Sequence, residues 1–333
     1  MAPRRGGGGG GSSGWGYDDS SPWNQDYSFS FNYYPAVFKG SIKVTLIFDF
    51  LLLIALLAFL VWSFIANKPI RKSQGLPLTA LITSIVFYLV DDALDIVHRF
   101  FWILEVTVKQ SWVVMLMIQR IFYLVAFLFL FYAFYQIIQT YLKRIANGAK
   151  AFTAVTFVHW AVLAILTALS ITDFSMYIAL QVMFVNSDSD VFDLSSHYAK
   201  VTGSRSILYW VASLEILLWA AFISTKSNIL RQSGKTGTIA FAIASLFFFI
   251  VNITIMIIDI RYDIEADFLP WYIAARTPET IVQSLCTLGI YGGLLFCCSQ
   301  WTAPAAGYPD MYQAPMQAPN QHMSSSVVQS HGR

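Results

Sequence analysis

The chain has 333 residues, 56% hydrophobic and 12% charged, with a net charge of +2. Soluble domains carry about a quarter charged residues, so the composition points to a multi-pass membrane protein. So small a net charge gives no basis for a nucleic-acid partner.

Residues 1–43 hold no apolar run of the secretory type. They form a low-complexity lead, RRGGGGGGSSGWG, followed by the polar and aromatic YDDSSPWNQDYSFSFNYY, and are expected to be an extracellular or lumenal tail. Seven apolar segments then match the ~20 residues that cross a ~30 Å hydrocarbon core. They lie near 44–66, 77–99, 112–141, 151–172, 206–227, 238–260 and 278–299. The expected fold is all-α, a polytopic seven-helix transmembrane bundle over 44–299. Residues 173–205 form the longest connection, with SMYIALQVMFV expected as an interfacial helix or short hairpin and NSDSD as a turn. The prolines are expected in loops, tails or first turns (Pro77, Pro278), which leaves the helices without strong proline kinks. Residues 300–333, rich in Pro, Gln, Met and Ser, are expected to be a disordered cytoplasmic tail.

Orientation follows from short-loop basic residues. Lys68, Arg71 and Lys72, then Lys143, Arg144 and Lys150, then Lys226, Arg231 and Lys235 mark three loops as cytoplasmic. The alternate loops mix bases with acids, so the N-terminus is expected outside and the C-terminus inside. Lys39 and Lys43 argue the other way. The plasma membrane is the favoured compartment, with an endomembrane as the alternative.

Charges at membrane depth are costly and usually face the bundle interior or a cavity. In FYLVDDALDIVHRFFW, Asp91, Asp92, Asp95, His98 and Arg99 fall within about 120° of one helix face. Arg120 enters from the same side to a similar depth and is expected to pair with Asp91 or Asp95. Glu215 lies near mid-depth. Asp49, Asn252, Asp259, Glu279 and Gln283 lie in the outer portions of their segments, and His159 stands nearly alone in the inner half. The pattern reads as a polar cup opening outward. Asp91, Asp92, Asp95, Arg120 and Glu215 are its candidate ligand-binding or switching groups, with Asp49, His98, Asn252, Glu279 and Gln283 secondary. The competing reading is a set of structural ion pairs, of which Asp95–Arg99, spaced i,i+4, is one.

All three cysteines, Cys286, Cys297 and Cys298, lie in or at the end of the last segment, so no disulfide staples a loop. Cys297 and Cys298 are candidate palmitoylation sites or buried small residues. GIYGG at 289–293 is expected to serve close helix packing. The Asn252-Ile253-Thr254 sequon falls inside a span, where glycosylation is not expected.

Seven spans with an outside N-terminus resemble the receptor architecture. Its rhodopsin-class signatures are missing: segment three ends in QTYLKRIANG, segment six lacks proline, and segment seven lacks Asn-Pro-x-x-Tyr and lysine. The histidine set of seven-span zinc hydrolases, the Gly-x-Gly-Asp of intramembrane aspartyl proteases and a Gly-x-Ser-x-Gly elbow are missing too. No enzymatic activity, cofactor or metal site is expected. In its short basic inner loops, LVDDALDIVHR and Pro/Gln-rich tail, the chain resembles the orphan seven-span proteins of filamentous fungi. The nearest groups are the pathogenicity-type receptors and the lipid-translocating exporter-like proteins, without the cysteine-rich outer domain of some of those receptors. The first functional reading is a receptor-like protein sensing a small ligand or ion through the cup. It would signal through the inner loops and tail to a cytoplasmic partner. A secondary or proton-coupled carrier using the same acids, and a structural or scaffolding membrane protein, are the alternatives.

Overall fold

A computed structural model describes residues 21–31, 36–70, 77–145, 153–226, 235–264 and 271–300. The low-complexity lead at 1–20, the basic loop residues Arg71, Lys72, Lys150 and Arg231, and the tail at 301–333 lie outside the described residues. Seven helices dominate: α1 (Ala36–Ile70), α2 (Leu78–Ile103), α3 (Val113–Ile145), α4 (Thr153–Val185), α5 (Val191–Thr225), α6 (Lys235–Ile258) and α7 (Trp271–Ser299). Long apolar runs become helices because lipid offers the backbone no hydrogen-bonding partner, so each segment satisfies its own N–H and C=O groups. Six of the seven are long and apolar enough to cross a membrane. The exception is α2, which at 26 residues has the length but carries Asp91, Asp92, Asp95 and Arg99. The chain is an all-α, multi-pass membrane protein.

Sequence neighbours pack side by side, α1 closes on α7, and α4 sits at the periphery against α3 and α5. On α1 the sequence separates two faces at helical spacing. Ile47, Ile54 and Val61 are exposed, as lipid-facing residues should be, while Thr45, Asp49, Leu52, Leu56 and Ser63 point inward. Phe131, Phe134, Phe241 and Phe248 fill the middle of the bundle and are fully buried. Gly289 and Gly293 let α7 approach α6 closely. A Cβ on Gly293 would lie 2.9 Å from the Ala244 Cβ and 3.0 Å from the Ala240 carbonyl, and one on Gly289 would collide with the Phe247 ring. The GIYGG stretch therefore serves packing, as its small residues suggest.

One end of the bundle carries a further layer, and we call it the strand end. Here β1 (Asp26–Ser28) pairs antiparallel with β2 (Thr107–Lys109), which lies between α2 and α3. Phe29 is 1% exposed and packs against His98, Phe101, Trp102 and Trp112 at ring-centroid distances of 4.9–5.9 Å. The ordered segment 21–31 is thus stapled over the α2–α3 connection.

Three expectations need correction. Residues 173–205 are not a long connection with an interfacial helix or hairpin. SMYIALQVMFV continues α4, and after a turn at 186–190 α5 begins at Val191. At ~1.5 Å per residue, α4 and α5 are each about 50 Å long and outreach a ~30 Å hydrocarbon core. Pro278 is not in a first turn, since α7 starts at Trp271 and holds it in its interior. Pro69 likewise lies within α1, which runs to Ile70.

Candidate functional site

A cavity of about 270 Å³ opens among α1, α2, α3, α4 and α7 near the strand end. Its position follows from the α2 stripe, whose 100° periodicity turns Asp91, Asp92, Asp95 and Arg99 away from lipid and toward α1, α3 and α7. These four line the cavity with Asp49 from α1, Gln119, Arg120 and Tyr123 from α3, Tyr177 from α4, and Gln283 from α7. Tyr88, one turn below Asp91 and Asp92, lines its deeper part and accepts a 3.2 Å hydrogen bond from Gln283 Nε2.

Arg99 serves two of the carboxylates. Its Nη2 donates to Asp95 Oδ2 at 2.6 Å, and its Nε lies 2.6 Å from Asp49 Oδ2, off the hydrogen-bond axis. Asp95–Arg99 is therefore an i,i+4 pair with Asp49 as a third member. Asp92 is 6% exposed, and its Oδ2 is buried with no hydrogen-bond partner among the described residues.

Arg120 does not pair with Asp91 or Asp95. It grips Asp173 of α4 through Nε at 3.1 Å and through Nη2 at 2.9 Å, and Nη2 also donates to the Tyr198 hydroxyl at 3.1 Å. The guanidinium sits 5.7 Å from the ring centres of both Tyr123 and Tyr177. Asp173 is 0% exposed and also meets Arg205 Nη1 at 2.8 Å and the Thr202 hydroxyl at 2.9 Å. Ser206, next to Arg205, donates to Asp259 at the start of the π-helical turn Asp259–Ile264 that follows α6. Arg120, Arg205 and Asp173 thus form a network joining α3, α4 and α5, and the separate Ser206–Asp259 bond ties α5 to the end of α6. Sequence reasoning missed Asp173 and Arg205 by placing both in a loop. The available signal was that Asp173 is the only charged residue in the 33-residue apolar run of α4.

Glu215 does not belong to the cup. It lies about 15 Å farther along α5 than Arg205, toward the end opposite the strands. There its Oε1 is 3.2 Å from His159 Nε2 and accepts from Trp219 Nε1 at 3.3 Å, while Oε2 accepts from the Tyr135 hydroxyl at 3.3 Å. His159 stacks on Tyr135 at 4.3 Å. The remaining secondary candidates also separate. His98 is stacked on Trp112 at 5.3 Å beneath the N-terminal segment. Asn252 is 1% exposed and donates to the Phe248 carbonyl of its own helix at 2.7 Å. Glu279 is 7% exposed, beside the cavity-lining Thr280.

Cys297 and Cys298 are each 1% exposed within the core, and the Cys297 sulfur lies 3.4 Å from the Tyr141 hydroxyl. In this arrangement neither thiol is open to acylation. Among the described residues no three His, Cys, Asp or Glu side chains converge on a point where a metal ion could sit. No protein-family model, curated protein or solved structure matches this chain, so its functional reading rests on the geometry above.

Proposed function

We propose that the chain is a receptor-like membrane protein that binds a small ligand in the strand-end cavity without chemically transforming it. The observation that carries this reading is a polar cavity at the strand end of the bundle, closed below by a packed aromatic layer. Below Tyr88, Ser84 bonds the Tyr291 hydroxyl and the Ala126 carbonyl, both at 2.7 Å. Past these the interior is the packed aromatic layer of Phe131, Phe134, Phe241 and Phe248. A site that ends on such a layer suits sensing better than passage. The basic residues flanking α1, α3 and α5 at the opposite end support a cavity facing outward and a C-terminus facing the cytoplasm. The plasma membrane and a cytoplasmic signalling partner complete the proposal.

The test pairs binding with flux. The full chain in nanodiscs is screened against a small-molecule library by thermal shift, alongside a Leu116→Trp variant that fills the cavity. Compounds that stabilise the wild type and not the filled variant support the reading. Uptake into proteoliposomes that Asp91→Asn abolishes would instead establish a carrier. A blank screen, with cavity substitutions altering only thermal stability, would establish a scaffold.

A further inference from the structure

The acidic side chains around the cavity outnumber the basic ones. Four carboxylates line it, Asp49, Asp91, Asp92 and Asp95, against the guanidinium groups of Arg99 and Arg120. Arg120 is held by Asp173, which also meets Arg205. Arg99 is shared by Asp49 and Asp95. Among the described residues, neither Asp91 nor Asp92 lies within ion-pair distance of a cationic side chain. An acidic wall alone is no site, but a second observation points the same way. Asp92 is more than nine-tenths buried, lines the cavity, and leaves Oδ2 without a partner. Buried carboxylate oxygens without a partner are uncommon, because they lose water and gain nothing in return.

The geometry also selects the kind of cation. The acids are spread along α1 and α2 and do not converge on one metal-binding point. Spread acceptors suit N–H donors carried on a carbon frame. Tyr88, at the deeper end, offers an aromatic ring of the kind that attracts ammonium groups. The volume lies just below the ~300–1,000 Å³ range of ordinary ligand pockets, which favours a small molecule. We infer that the cavity takes a small organic ammonium ligand, with Asp91 and Asp92 accepting its N–H donors. This rests on the ligand-binding reading above and names the chemical class of the ligand.

Calorimetric titration of the full chain in nanodiscs tests it, using benzylammonium, putrescine, benzamide and benzoate with ionic strength fixed by sodium chloride. At least one ammonium probe binds, while benzamide and benzoate do not. Asp92→Asn and Asp91→Asn each weaken that binding at least ~10-fold, or about 1.4 kcal/mol. Asp92→Glu, which keeps the charge, retains most of it, so the loss is not a folding defect. Glu215→Gln, at the other end of the bundle, leaves it unchanged. Preferential binding of benzamide or benzoate, abolished by Leu116→Trp, overturns the ammonium class and leaves the cavity reading standing. Ammonium binding that survives both Asn substitutions overturns the placement. Binding by none of the four overturns the proposal, and a blank library screen as well overturns the ligand-binding reading.

Discussion

Asp173→Asn should be among the most damaging conservative substitutions in the chain. Asp173 is 0% exposed and faces Arg120 at 2.9 Å and Arg205 at 2.8 Å. At those distances and an effective dielectric constant of about 20, each contact is worth roughly 6 kcal/mol of Coulomb energy before desolvation is subtracted. Asparagine keeps the shape but removes the charge, and it turns an N–H₂ group toward one of the two guanidinium groups. Breaking a buried ion pair from one side costs about 3–5 kcal/mol, because the partner charge stays buried and uncompensated. At about 2 °C per kcal/mol, the lower figure for sizeable chains, the unfolding midpoint should fall by roughly 6 °C or more. The protein supplies its own probe: Cys286, Cys297 and Cys298 are 6%, 1% and 1% exposed, so a thiol-reactive fluorogenic dye reports unfolding. The double variant Asp173→Asn/Arg120→Gln should lose less than the sum of the two single variants, since it leaves one stranded guanidinium and not two. A midpoint within about 2 °C of wild type, or strict additivity in the double variant, would refute the network as the tie between α3, α4 and α5.

Gly293→Leu should cost about 1–3 kcal/mol or more by overpacking the α6–α7 seam, because its Cβ would press on the Ala240 carbonyl at 3.0 Å; the same dye assay reads it. Phe29→Ala should release the N-terminal segment with the bundle intact, since a buried Phe→Ala truncation costs about 3–5 kcal/mol and its contacts converge on that cap. Hydrogen exchange should then rise at 21–31 and 107–109 but not in the cores of α3 and α6. Ser187→Gly should stabilise the α4–α5 turn by roughly 0.5–1 kcal/mol, because Ser187 holds a φ of 55° that glycine adopts freely. An unchanged or lower midpoint would show that the serine is not strained there.

Much of this architecture is legible in the sequence because lipid imposes one rule, a run of apolar residues of fixed minimum length. That rule finds seven helices and places the α2 stripe, whose inward direction follows from 100° periodicity. It sets no maximum length. Once residue 172 completes a span for α4, the polar punctuation of ITDF and the distant NSDSD invite a loop, and Asp173 is lost with it. The helix in fact runs on, because 174–185 is still apolar and contains no breaker. Depth alone also fails to choose partners. Arg120, Asp91 and Asp173 lie at similar levels, with Glu215 about 15 Å farther along α5 than Arg205. What distinguishes them is the direction in which each helix turns its residue, set by packing among α3, α4 and α5. For the same reason Glu215 meets His159, which a depth estimate leaves in the opposite half without a counterpart.

The change of partner at Arg120 alters the chemistry of the whole cavity. Had Arg120 paired with Asp91, each acid of the cavity except Asp92 would have a cation within reach, with Arg99 shared by Asp95 and Asp49. Held instead by Asp173 and flanked by Tyr123 and Tyr177, Arg120 becomes part of the wall and leaves Asp91 and Asp92 without a cationic partner among the described residues. Holding one acid free at membrane depth is costly, and holding two side by side is more so. A purely structural cluster would be expected to place a cation beside them, as this chain does for Asp49, Asp95 and Asp173. The cation missing from the Asp91–Asp92 pair is therefore best sought in a ligand.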